Sequence, residues 1–119
     1  MIYTYSGSRL RSIFLGSENE LLETKFHVKC PKCKGDVFFS FNEIQSIKGK
    51  LLDFTKASNL LKETQYGVEV KVGVPAYAIS TKCKVCHMMI HIIIGAKEVQ
   101  PQRFSVYIKT VIIESSSAD

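Results

Sequence analysis

Two C-x₂-C pairs, Cys30-Pro-Lys-Cys33 and Cys83-Lys-Val-Cys86, constrain this chain more than any other feature. Two intervening residues let a tight turn aim both sulfurs at one point, about 2.3 Å from a zinc ion. Gly35, two places past Cys33, suits the positive φ that such a turn commonly needs after its second ligand. Each pair also lies between two segments of alternating apolar and polar residues. The expected arrangement is a pair of hairpins whose tips bring Cys30, Cys33, Cys83 and Cys86 into one tetrahedron around Zn²⁺.

The rest of the pattern predicts an α+β domain with a mainly antiparallel sheet and a helical insert. Leu22, Thr24, Phe26, Val28 and Cys30 alternate with polar residues, the period of a half-buried strand, and Val37, Phe39 and Phe41 resume it. Strands are expected over 22–30, 36–41, 67–74, 76–82, 88–94 and 104–113. Val68, Val70, Val72 and Val74 leave Glu69 and Lys71 on a wet face, and Pro75 is expected to interrupt that ladder because it has no N–H. Residues 88–94 are apolar on nearly both faces, as in a central strand. Ser105, Tyr107 and Lys109 form the more polar face of the last strand.

Between residues 43 and 64 the spacing changes to three and four. Ile44, Ile47, Leu51, Phe54 and Leu61 predict a helical insert covering one sheet face, with Ser40 and Glu43 as a capping box. Gly49 predicts two short helices instead of one, since an interior glycine costs about 1 kcal/mol. Residues 2–5 read as an edge strand and 17–22 as a helical turn. At 119 residues the chain is one domain, 1–114, able to bury a core without staples, followed by a frayed tail at 115–119.

The CPKCKG and CKVC segments, with their flanking strands, resemble the zinc-ribbon group, in which two knuckles close on one zinc. The resemblance covers about half the chain and implies a Cys₄ metal site; it does not imply a particular function. Two departures stand out. The 49 residues between the pairs exceed the common ribbon spacing of about fifteen to twenty, and Met88 stands where the first knuckle has Gly35, so the second turn is expected to differ.

Other chemistries of the same residues find less support. Cys83-Lys-Val-Cys86-His87 has the form of a covalent haem site, but that chemistry normally follows export and leaves the first pair unexplained. A dithiol redox motif depends on a helix start, whereas β-like residues follow Cys33. His87 adjoins Cys86 and is an alternative ligand; His27 falls on a polar strand face, and His91 is expected to be hydrogen-bonded in or near the sheet. The histidines lack the H-x-E context of zinc deaminases, and no phosphate loop, nucleophile elbow or HExxH is present. The expectation is a protein that is not an enzyme.

Charge narrows the choice of partner. The formal net charge is +5, with 16 basic residues of which only Arg9, Arg11 and Arg103 are arginine. Four thiolates around one Zn²⁺ lower the total to about +3. Lys29, Lys32, Lys34, Lys82 and Lys84 cluster around the knuckles, so Lys32, Lys34, Lys82 and Lys84 are candidate contacts to a partner or to nucleic acid. Scarce arginine argues against base reading, and Phe38, Phe39 and Phe41 are expected in the core rather than as a stacking platform. The sequence therefore favours stoichiometric docking onto a protein partner, an acidic one matching the positive charge, as adaptors, inhibitors and toxin-neutralising immunity proteins do. A basic nucleic-acid-binding ribbon is the alternative. With no apolar stretch of signal-peptide or membrane length, the expected setting is cytoplasmic, without membrane association.

Overall fold

A computed structural model describes residues 2–6, 10–65, 67–71 and 73–115. In chain order it contains β1 (Ile2–Ser6), β2 (Leu10–Leu15), α1 (Glu18–Glu23), β3 (Lys25–Lys29), β4 (Asp36–Ser40), a 3₁₀ turn (Phe41–Glu43) and α2 (Gly49–Ala57). There follow β5 (Lys62–Thr64), β6 (Gly67–Lys71), β7 (Val74–Pro75), β8 (Tyr77–Lys82), β9 (Met89–Gln100) and β10 (Arg103–Ser115). Antiparallel strands dominate, with few helices.

The long hairpin of β9 and β10 is the spine. β8 pairs with the first half of β9, while β1 and β2 lie end to end along the other edge of β10. From Ile90 to Gly95 every residue of β9 is buried, the mark of a strand covered on both faces. On one face Ile90, Ile92 and Ile94 join Phe104, Val106 and Ile79 beneath α1 and the β3–β4 hairpin, through Leu21, Val37, Phe39 and Phe41. On the other, Ile93 and Ile112 meet Ile47 and Leu61, with Leu51, Phe54, Val68 and Val70 half-buried around them. Each fully buried isoleucine contributes roughly 1.5–3 kcal/mol of transfer free energy, and Cys30 and Cys83 are buried in the first of these two clusters.

Several expected boundaries move, each for a local reason. The strand expected at 22–30 begins at Lys25, because Ser17 caps α1. Its Oγ accepts from Glu20 N at 3.2 Å and its N–H donates to Glu20 Oε1 at 3.0 Å, which draws Leu22 and Glu23 into the helix. The expected strand at 36–41 ends at Ser40. The Ser40–Glu43 capping box exists, with Ser40 N donating to Glu43 Oε2 at 2.9 Å, but it closes only the 3₁₀ turn.

The insert is consequently much less helical than expected. Gln45 forms a two-way bridge to Ala78 (2.8 and 2.9 Å), α2 starts at Gly49, and β5 occupies 62–64. Ile47 and Leu61 still reach the core, but Ile44 packs on the opposite layer from them. The strand expected at 67–74 is instead the hairpin β6–β7, turned near Gly73 (φ 81°). Glu69 is buried, not wet, and Pro75 pairs with it as part of β7; Val72 lies outside the described residues.

β9 runs longer than expected because Lys97, Glu98 and Gln100 keep pairing with Arg103–Ser105 although they are exposed, and β10 because Glu114 and Ser115 pair with Met89 and β1. The expected edge strand at 2–5 corresponds to β1; β2 has no counterpart in the sequence reading. Of the expected tail, Ser115 is the last residue of β10 and 116–119 lie outside the described residues. Among the described residues no helix is long and apolar enough to cross a membrane.

Candidate metal centre

Each C-x₂-C pair occupies a hairpin tip: Cys30 and Cys33 between β3 and β4, Cys83 and Cys86 between β8 and β9. The two turns are built alike. Lys34 N donates to Cys30 O and His87 N to Cys83 O, both at 2.9 Å; Cys30 N donates to Gly35 O (2.8 Å) and Cys83 N to Met88 O (2.9 Å). The left-handed residue is the one directly after the second cysteine, Lys34 (φ 66°) and His87 (φ 64°). Two expectations are thereby corrected: Gly35 does not carry the positive φ, and Met88 does not alter the second turn. Gly35 is needed for a different reason. A Cβ there would stand 2.9 Å from Val85 Cγ2 and 3.3 Å from Cys33 Sγ, so its missing side chain lets the second knuckle close on the first.

The four sulfurs lie within 4.8 Å of one another, with Cys30–Cys86 at 3.7 Å and Cys33–Cys83 at 3.6 Å. A regular tetrahedron with about 2.3 Å metal–sulfur bonds has edges of about 3.8 Å, so these distances fit a tetrahedral metal ion. They are far too long for disulfides, and all four cysteines are free thiols. Cys30 and Cys83 have no exposed surface, and Cys33 and Cys86 are half-buried against the same apolar cluster. His87 is exposed and stands outside the cluster, which contains only sulfur ligands.

The electrostatics also favour a cation. Backbone N–H groups of Cys86 and Val85 donate to Cys83 and outweigh its burial, lowering its thiol to about 6. Met88 N–H donates to Cys86, yet burial and the neighbouring thiols together push Cys86 up to about 11. Without a cation, then, the Cys83 thiolate forms readily while Cys86 resists ionisation; a divalent ion between them removes that resistance. Four sulfurs leave a tetrahedral ion no open position, so the geometry suits structural cross-linking of the two hairpins.

The candidate lysines do not form one patch. Lys32 is exposed on the first knuckle, and Lys34 turns its Nζ back to Pro31 O at 3.2 Å. Lys29 is held by Asp36 at 2.6 Å, and this bond keeps the Asp36 carboxyl below its usual range. Lys82 and Lys84, however, line a groove of about 240 Å³ between the β3–β4 hairpin and the end of β8, together with Lys25, Phe38, Asp36 and Glu43. Phe39 and Phe41 are buried as expected, but Phe38 is 61% exposed, and Val85 on the second knuckle is 63% exposed. The strand alternation that buries Phe39 places Phe38 on the outer face, a signal visible in the sequence. Comparison of the chain with protein-family models, with curated proteins and with solved structures finds no match.

Proposed function

We propose that this chain is a zinc-ordered binding protein that docks a protein partner in the groove beside its Cys₄ site. Zinc is the metal chosen because an all-thiolate tetrahedral set in a closed site suits a redox-inert structural ion. The observation that carries the docking reading is the composition of the groove. Exposed Phe38 supplies an apolar anchor in a rim of both signs, Lys25, Lys82 and Lys84 against Asp36 and Glu43. Aromatic anchors inside a polar rim are typical of protein interfaces, whereas the two carboxylates in the same groove offset much of the lysine charge that a phosphate backbone would need. Zinc binding would order this surface by fixing the hairpin that carries Phe38 against the end of β8.

One feature supports nucleic acid instead. His27 and Phe38 lie side by side on the exposed face of the β3–β4 hairpin, with ring centroids 5.7 Å apart and ring planes tilted by 36°, and exposed aromatic pairs can serve as platforms for unpaired bases. Capture of binding partners on the immobilised holo protein, with and without nuclease, separates the readings. Docking predicts a partner retained after nuclease at a fixed ratio, lost on Phe38→Glu and only moderately weakened by salt. A partner that vanishes with nuclease, with affinity falling roughly 10³–10⁵ between 50 and 200 mM salt, would replace docking by nucleic-acid binding.

A further inference from the structure

Three adjacent strands of the large sheet align a hydroxyl, an imidazole and a carboxylate away from the metal centre. Ser80 on β8 lies directly across from His91 on β9, with Ser80 Oγ 2.7 Å from His91 Nδ1. On the other side of the ring, Glu114 Oε1 from β10 is 2.9 Å from His91 Nε2. A carboxylate only accepts hydrogen bonds, so Nε2 carries the ring proton and the Nδ1 lone pair faces Ser80. The hydroxyl therefore donates to the imidazole. His91 is 8% exposed and fixed by both partners, while Ser80 is exposed. Nucleophile, base and orienting acid thus stand in hydrogen-bond sequence, an arrangement recognised by geometry and role, not by chain order. Compared with the familiar serine triad the imidazole is turned over, Nδ1 facing the hydroxyl, which leaves the proton path intact.

We propose that Ser80 is an activated nucleophile, with His91 as its base and Glu114 as the positioning residue, and that it accepts acyl or phosphonyl groups from small activated donors. Ser80 itself lies outside the docking groove, because β8 presents Thr81 to the groove and Ser80 to the opposite face, with Lys82 at the strand end bordering both. Its open setting, with Lys82 and Met89 as the next cross-strand pair on the same face, fits compact donors such as activated esters. With an aryl ester, Ser80 Oγ bonds to the carbonyl carbon and the carbon–oxygen bond to the phenolate breaks, the phenolate leaving with the electron pair. The serine proton passes to His91 Nδ1 and on to the leaving phenolate, while Glu114 balances the transient imidazolium. Water attacking the resulting ester by the reverse proton path frees the carboxylic acid and restores Ser80.

The test uses the intact holo protein and an alkyl fluorophosphonate, from which a P–O bond to Ser80 forms as fluoride departs with the P–F electron pair. Peptide mapping should place the adduct on Ser80 about 10²–10⁴-fold faster than on Ser46, an exposed serine, the range expected of a positioned base. This comparison within one chain needs no variant and so survives any folding defect. Glu114→Gln and His91→Asn should slow labelling of Ser80 without changing that of Ser46. Labelling of Ser80 no faster than Ser46, or unchanged in a folded His91→Asn variant, would overturn the proposal.

Discussion

Replacing Gly35 by alanine distinguishes two accounts of the knuckle. If Gly35 supplied a left-handed backbone, any side chain there would be strained by about 1 kcal/mol whatever surrounded it. The structure instead gives the left-handed role to Lys34, and the obstacle at Gly35 is Val85 Cγ2, 2.9 Å from the added Cβ. Ordinary carbon contacts lie at about 3.5–4.0 Å, so the pair must separate by more than half an ångström. Overpacking of this kind typically costs about 1–3 kcal/mol. Because Val85 is 63% exposed and can retreat, the lower end applies, about 1 kcal/mol. Val85→Ala removes the clashing methyl, leaving its Cβ at 3.4 Å, an ordinary contact. Urea unfolding of the holo protein should therefore show Gly35→Ala destabilised, Val85→Ala nearly neutral, and the double variant within about 0.5 kcal/mol of the parent. A double variant as unstable as Gly35→Ala alone would show that Val85 is not the obstacle and shift the cost to Cys33 Sγ, 3.3 Å from the same Cβ, or to the backbone.

Gly95→Ala should destabilise the core by about 2–3 kcal/mol in the same assay. Its Cβ would stand 2.7 Å from Val70 Cγ2 and 2.9 Å from the Pro75 carbonyl oxygen, and the second of these is backbone that cannot swing aside. Stripping the metal should increase hydrogen exchange at the amides of Lys34 and His87, which close the knuckles, while β9 and β10 amides around Ile92 and Val106 stay protected. Uniform loss of protection would show that the metal holds the whole fold and not one end of it.

The knuckles are legible in the sequence because ligand spacing is chemistry: two residues between thiols, twice, with apolar alternation on each side. The central strand is legible because six consecutive residues from Ile90 to Gly95 are apolar or histidine, which only a strand covered on both faces accommodates. The insert is misread because three-and-four spacing is also met when isolated apolar residues of an irregular segment reach different layers, Ile44 one way and Ile47 the other. A capping box fixes one turn, and nothing in it requires the helix to continue past Glu43. β2 is obscured because its pairing comes from β10, nearly ninety residues away, and not from local pattern. The relay is hidden although its members are only 11 and 23 residues apart, since Ser80, His91 and Glu114 converge only through strand register. Lys25 and Phe38 join Lys82 and Lys84 by the same long-range folding.

The central claim is that four thiolates hold one zinc ion between the two hairpin tips. Elemental analysis of the purified chain, combined with X-ray absorption at the metal edge, tests it directly. The account predicts one zinc per chain with four sulfur neighbours at about 2.3 Å, and loss of that metal in Cys33→Ser and Cys86→Ser. A metal-free chain, iron in place of zinc, or nitrogen or oxygen neighbours in the coordination shell would contradict it.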